Sequence, residues 1–529
     1  MSMEVEGNNS PHPWGTSLRG QLATVQKRDP PYWGRPSRIL PAAFIAWLLA
    51  FSSVWAGVTG IKDYQPSIRH RHEGDVFASY AFTKDQVGYF LYDPKTKAVR
   101  AKRNPGKSFI PASVTKILTT LAALEILGHQ YRFQTQVKYR GGLTRGELHG
   151  DVYLKGTGDP QLSSSDLMRM VQVLASRGVT AIRGKFFYDE SELFQAPELD
   201  EGFESDGTWN SGISALSTEF NRFAIHWRPS TSGMVEAFLT PSLPSVRIGL
   251  ADEPPPGTST FAYEPSEDET VWRFSPNAAT SGTQYLPVRD AGRYTASLFA
   301  KLARMSGIDI PEPERGTTPQ DAQLLALHES PTLLELCKGL LEYSNNLTAE
   351  LIMLTAAKKV KGKTQSLEAA AETMKAWLQR QIPALQKADF QYWNGSGLTA
   401  RNRLSPVQTV AALSYADRRW RGETRYISLL PISGWTGTLR RRMIEPDTAF
   451  RIWAKTGSIS YANAIAGYLN TESGQTLLFA IFVNDMQRRE DFDARRDRHT
   501  PTDIRAAQRW NRTARAIEED LLRLWIAKY

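Results

Sequence analysis

A chain of 529 residues, 41% of them hydrophobic, is longer than one simple core serves, so two or more domains are expected. Its net charge of +9, from 64 Lys and Arg against 55 Asp and Glu, is mild: it suits an anionic cell-wall polymer or a membrane surface, and equally a generic basic surface, while no Lys/Arg cluster interleaved with aromatics points to nucleic acid. The single cysteine, Cys337, excludes an internal disulfide, and the eight histidines form no ligand cluster, so neither a staple nor a metal is expected.

Residues 1–38 form a leader rich in Pro, Gly and Asn, read as disordered. Between Arg38 and Lys62 the chain carries no charge, and Lys27, Arg28, Arg35 and Arg38 precede this stretch. A basic flank, an apolar run and small residues at Val54 and Ala56 predict a secretory signal cut after Ala56. The length also suits an uncleaved membrane anchor over 39–60. A buried helix of a soluble fold is the third reading; the first two export the rest, to the periplasm in a two-membrane cell, and leave membrane association open.

The apolar "VGYFLY", the turn "DPKTK" and "AVRA" predict a hairpin within 74–102. "SVTKILTTLAALEILG" predicts a helix closing on Gly128. From about residue 134, "TQVKYRGGLTRGELHGDVYLKGTGDPQL" reads as strands broken by Gly turns, "SSSDLMRMVQVLASRG" as an amphipathic helix ending at Gly178, and "GKFFYDES" as a strand. β texture continues to about residue 300, with "ADEPPPGT" as a loop. Residues 135–330 are therefore read as an inserted β-rich domain, and 61–134 with 331–529 as the domain it interrupts. Helices return at "SPTLLELCKGLLEYSNNLTAELIMLTAAKKV", where Cys337 reads as a small buried hydrophobe, and at "SLEAAAETMKAWLQRQI". "FRIWAKTGSISYANAIAGYL" and "TLLFAIFVND" predict consecutive antiparallel strands. "QRREDFDARRDRHTP" is expected to be a solvated loop. In the last helix Trp510, Ala514, Ile517, Leu521 and Leu524 share one face, expected to pack on the sheet.

Three short motifs carry chemistry. Ser113 and Lys116 stand three apart, so the ammonium reaches the hydroxyl. Burial in the apolar run behind them would favour the neutral amine and let Lys116 take the serine proton. Ser-x-x-Lys arises by chance roughly twice in a chain this long, and here only Ser113 has Lys three places on. "YSNN" places Ser344 and Asn346 in a loop between helical runs, a hydroxyl to relay a proton and an amide to hold a peptide bond. "WAKTGSIS" places Lys455, Thr456, Gly457 and Ser458 on an edge strand: the first two can hold a carboxylate, Gly457 permits close approach of substrate backbone, and the Ser458 N–H can pair with that of Ser113 as an oxyanion hole.

In this order the triple resembles the serine-active penicillin-recognising superfamily. The long gap from Ser113 to Ser344, filled by the β-rich region, is similar to the class C low-molecular-mass penicillin-binding proteins, the DacB-like D-alanyl-D-alanine carboxypeptidase/endopeptidases of peptidase family S13. "GELHGDVYLKGTGDPQL", "SALSTEFNRFAI", "SNNLTAELI", "NGSGLTARNRLSP" and "ISGWTGTLRRR" resemble that family too, from about 75 to 485. Asn345 departs from it, Asp being commoner there. The resemblance implies an α/β (α+β) transpeptidase/β-lactamase-like fold, an antiparallel sheet flanked by helices plus a helical subdomain. It implies that Ser113 is acylated by the penultimate D-Ala of peptidoglycan stem peptides and Lys116 is the base. Ser344 would relay the proton, Asn346 orient the amide, Lys455 complete the field, Thr456 bind the carboxylate and Ser113 and Ser458 N–H hold the oxyanion. β-Lactams would acylate the same serine, with no cofactor. A β-lactamase on this fold and a weakly catalytic wall-binding scaffold are the alternatives.

Overall fold

The computed structural model describes residues 72–529, apart from 202, 204–205, 230–234, 251–260, 267–269, 275–280, 388, 421–423 and 496–498. The leader, the uncharged stretch and the "ADEPPPGT" loop lie outside the described residues. Among those described, no helix is long and apolar enough to cross a membrane.

The sheet that carries the site joins the two ends of the chain. The hairpin β1 (Val87–Asp93) and β2 (Ala98–Arg103) follows the short helix α1 (Glu73–Ala78), which the sequence pattern did not signal. Much later in the chain comes the meander of strands Ile452–Ile459, Ala462–Asn470 and Thr476–Asn484, which, after the insertion's strands, are β15, β16 and β17. Their order, β15-β16-β17-β1-β2, leaves β15 on an edge, and every pairing is antiparallel. The run "TLLFAIFVN" is apolar throughout because both faces of β17 are covered. Leu478, Ala480 and Phe482 join the core under the helical subdomain, while Leu477, Phe479, Ile481 and Val483 join the core under the C-terminal helix.

The predicted face of that helix, Trp510 through Leu524, lies wholly within this second core. The charge run before it is only partly a loop. Met486–Asp493 is helical, capped by the Asp485 carboxylate accepting from Arg488 N at 3.1 Å. Arg489 on it is buried, ion-paired with Asp493 and donating to Ser460 O at 3.1 Å. The run reads as solvated because periodicity is weak where charges carry the packing.

The helical subdomain is built around α2 (Lys116–Leu127), buried on nearly every side as its apolar sequence demands. Leu333–Tyr343, Asn346–Lys361, Leu367–Gln381 and Pro406–Arg419 pack with it in one core. Cys337 lies in that core, its thiol pKa pushed up by burial.

The stretch read as the insertion begins at β3 (Gln134–Thr144) and ends at β14 (Gln323–Glu329), which pair antiparallel with each other. With β4 (Glu147–Gly156), β5 (Ala181–Ile182), β6 (Phe186–Asp189) and β13 (Pro313–Arg315) they make a six-stranded sheet. Two three-stranded sheets follow: β7 (Arg222–Pro229) between β8 (Val235–Thr240) and β12 (Gly282–Pro287), and β11 (Thr270–Phe274) between β9 (Val246–Leu250) and β10 (Phe261–Glu264). A helix, Ala291–Met305, lies within the stretch read as β; Asp290 caps it by accepting from Arg293 N.

Candidate active site

Ser113 does not sit on the α-helix that the pattern predicts. Ala112–Thr115 is a 3-10 turn and Lys116 opens α2 behind it. In a 3-10 turn, positions i and i+3 eclipse, which suits a serine–lysine pair three apart. The turn is strained: Ala112 has φ 45°, in the left-handed region. Two glycines hold it from either side. A Cβ on Gly397, itself at φ +75°, would lie 1.9 Å from Ala112 O. A Cβ on Gly457 would lie 2.5 Å from Pro111 O and 2.9 Å from Ser113 N. Gly457 thus admits the protein's own nucleophile turn, a reason for glycine beyond the approach of substrate. Gly457→Ala is expected to push Ser113 out of line, lowering the acylation rate on the order of 100-fold and destabilising the fold by about 1–3 kcal/mol. Stopped-flow acylation with a chromogenic β-lactam and thermal melts check both.

Lys116 is fully buried, with three partners around Nζ: Ser113 Oγ at 2.8 Å, Asn346 Oδ1 at 2.8 Å and the Ser396 carbonyl oxygen at 2.6 Å. The last two can only accept. A neutral amine has two N–H donors and one lone pair, so spending the donors on Asn346 and Ser396 turns the lone pair towards the Ser113 hydroxyl. Burial holds the Lys116 pKa well below its usual value, the Lys455 charge lowers it further and Glu350 opposes them. In its neutral form the Lys116 amine would therefore face the Ser113 hydroxyl with its lone pair.

Ser344 ends the helix Leu333–Tyr343 in the left-handed conformation, φ 61°, ψ 30°. Asn345 caps the next helix, its side-chain oxygen accepting from Thr348 N at 2.8 Å. Asparagine and aspartate serve as caps alike, so the departure at 345 leaves this turn intact. Ser344 Oγ accepts from Lys455 Nζ at 2.9 Å, and Lys455 also donates to Thr456 O at 2.6 Å. Burial brings the Lys455 pKa down to about 7. Thr456 Oγ1 donates to Thr438 Oγ1 at 2.9 Å. Ser458 is exposed at the far end of the strand, where its Oγ accepts from Asn511 and Arg515 at 3.4 Å each. The three motifs thus meet: Lys116 binds Asn346, Lys455 binds Ser344, and Gly457 lies against the Ser113 backbone.

Four participants were not singled out from the sequence. Glu350, fully buried, accepts from Gly395 N at 2.9 Å and Ser396 N at 2.8 Å, fixing the loop whose Ser396 carbonyl accepts from Lys116 Nζ at 2.6 Å. Burial raises its pKa, and the two N–H donors oppose that. The signal was present: a lone carboxylate in "LTAELIMLTAA" raises the same question as a lysine in "TKILTTLAALE". Ser396 contributes through its backbone, which no side-chain motif encodes. Thr438 and Trp209 arrive from distant segments. The Trp209 carbonyl, in the insertion's 3-10 turn Thr208–Asn210, accepts from Asn346 Nδ2 at 3.1 Å.

The family model for the D-Ala-D-Ala carboxypeptidase 3 (S13) family matches residues 75–508. The chain is 28% identical over 440 residues to a D-alanyl-D-alanine carboxypeptidase of Actinomadura sp. (strain R39), covering 75% of this chain and 77% of that one. It is 24% identical over 424 residues to the D-alanyl-D-alanine carboxypeptidase DacB of Haemophilus influenzae, covering 75% and 85%. Among solved structures, penicillin binding protein 4 (dacB) from Haemophilus influenzae superposes with a TM-score of 0.68 at 22% identity, over 78% of this chain and 93% of that one. A second structure of that protein, complexed with a β-lactam, superposes with a TM-score of 0.66.

Proposed function

The chain belongs to the D-Ala-D-Ala carboxypeptidase 3 (S13) family, and from that premise we propose that it hydrolyses peptidoglycan stem peptides through an acyl-serine formed on Ser113. The observation that carries this is the fully buried Lys116 amine lying 2.8 Å from Ser113 Oγ, with two obligate acceptors, Asn346 Oδ1 and Ser396 O, for its N–H groups. Lys116 takes the hydroxyl proton as Oγ bonds to the carbonyl carbon of the penultimate D-Ala. The backbone N–H groups of Ser113 and Ser458 take the developing oxyanion. Asn346 orients the substrate amide. As the C–N bond breaks, the proton passes to the leaving amine by way of Ser344, which Lys455 positions. Thr456 and the Lys455 charge hold the terminal carboxylate. Water then cleaves the ester and restores Ser113.

A β-lactam carries the same carbonyl and carboxylate but keeps its leaving nitrogen tethered, so it acylates Ser113 and leaves slowly. The Haemophilus protein that shares the fold has been captured with such a compound. Because the substrate lies outside the inner membrane, the uncharged stretch before Lys62 fits export to the periplasm, released or anchored there. Purified protein incubated with pentapeptide muropeptides is expected to release terminal D-Ala, read by mass spectrometry. Unchanged pentapeptides together with no covalent penicillin adduct would overturn the reading.

A further inference from the structure

Beside the carboxylate-binding end of the site, the segment 433–450 carries a patch that catalysis as described does not use. Trp435, Ile444 and Phe450 are 61%, 61% and 56% exposed. The Trp435 and Phe450 rings lie 5.7 Å apart. Phe450 has φ 59°, a left-handed conformation that is strained for a bulky residue. Folding explains neither the exposure nor the strain, since a buried aromatic or a glycine would serve stability better. Arg440 and Arg441 are exposed on the same segment, and neither forms an ion pair among the described residues.

The patch is tied to the site. Gly434 N donates to Leu439 O, closing the turn that carries Trp435. Thr438 in that turn accepts from the Thr456 hydroxyl. Gly437 is pressed against Glu342, two residues before Ser344, where a Cβ would lie 2.6 Å from the Glu342 carbonyl oxygen. The turn therefore adjoins the Thr456 side of the site, where the proposed function places the carboxylate of the leaving residue.

Resting on the proposed function, the chemistry names an occupant. In an uncross-linked stem the leaving residue is a single D-Ala. In a cross-linked stem it keeps its free carboxylate but bears the rest of a second stem peptide on its side chain. That extra portion is a flexible, anionic peptide joined to sugar, and it begins where Thr456 binds the carboxylate. We propose that Trp435, Phe450 and Ile444, with Arg440 and Arg441, form the subsite for this second stem and direct the enzyme to cross-linked substrate. The aromatic pair supplies apolar area at low entropic cost, and the arginines meet the stem's carboxylates. Chemistry at Ser113 is unchanged: the same C–N bond breaks and the same amine takes the proton.

The test uses the full chain and its Trp435→Ala/Phe450→Ala and Arg440→Gln/Arg441→Gln variants, with thermal melts to verify folding. Each is assayed on a purified cross-linked muropeptide dimer and on the monomeric pentapeptide. The expected result is at least a 10-fold lower kcat/KM on the dimer, carried by KM, with pentapeptide kcat/KM within 2-fold of wild type. Equal loss on both substrates, no loss on either, or wild type that cleaves pentapeptide but not dimer would overturn the subsite while leaving the proposed function standing. Loss of binding to anionic phospholipid vesicles with dimer cleavage unchanged would overturn it in favour of a membrane contact. Failure of wild type on both substrates would sink the proposed function itself.

Discussion

Ser113→Ala is expected to abolish covalent labelling by a fluorescent penicillin and to lower D-Ala release on the order of 10⁶-fold, the loss typical when an activated serine nucleophile is removed from an acyl-transfer enzyme. The effect is this large because no other hydroxyl can substitute. Ser344 Oγ is bonded to Lys455, whose amine also donates to Thr456 O, and not to the Lys116 lone pair. Ser396 meets Lys116 only through its carbonyl, and its own hydroxyl accepts from Leu398 N at 3.1 Å. The variant should fold, since Ser113 is only half buried and caps no helix by its side chain. A melt within a few degrees of wild type, with no adduct in denaturing gels or intact-mass spectra, is the full expected outcome. Persistent labelling of Ser113→Ala would place the nucleophile elsewhere and end the acyl-serine reading at this residue.

Much of this site was legible from charge in the wrong surroundings. A lysine in "TKILTTLAALE" and a serine three before it sufficed to suggest a base and a nucleophile, because burying an idle charge costs several kcal/mol. The same reasoning reaches Glu350, which lies in an equally apolar helix. The helix-strand alternation was legible wherever one periodicity ruled: β17 and the C-terminal helix are clear because packing on both sides left nearly every position apolar or strictly periodic. What did not show was geometry that backbone sets. The 3-10 turn at Ala112–Thr115 depends on Gly397 and Gly457, which come from segments far along the chain. The Trp209 carbonyl reaches Asn346 through the fold of the insertion, and any residue could supply that oxygen. The helix Ala291–Met305 did carry signals, Asp290 before it and Gly307 after it, but they fell inside a region whose strands set the expectation. Arg489 was lost for the opposite reason, since charge dense enough to look solvated can still be packed when each group finds a partner.

Lys116→Met separates the two costs that the buried amine carries. Catalysis should fall at least 10³-fold, since general-base assistance is worth on the order of 10²–10⁴ and the Asn346 amide loses its partner as well. Stability should respond in a way that depends on pH. The folded-state pKa of Lys116 is depressed by desolvation first and the Lys455 charge second, whereas the unfolded side chain keeps its ordinary value of 10.5. Between those two values the unfolded chain binds the extra proton and the folded chain does not. Wild-type stability therefore rises with pH across that window, by up to about 1.4 kcal/mol per pH unit from this group. Methionine titrates nowhere, so the variant lacks this slope. Chemical denaturation of both proteins at several pH values should show wild type gaining on Lys116→Met as pH rises from the depressed folded-state pKa towards 10.5. At the low end the variant should be least disadvantaged, despite orphaning Ser396 O. Activity runs on the same titration from the other side. The reacting form is the neutral amine, so kcat/KM rises as pH climbs through the depressed Lys116 pKa. It declines where Lys455, near 7 in the free enzyme, loses the charge that draws the substrate carboxylate. Parallel stability curves for the two proteins would mean that Lys116 is protonated in the folded state, and the hydroxyl of Ser113 would then need another base.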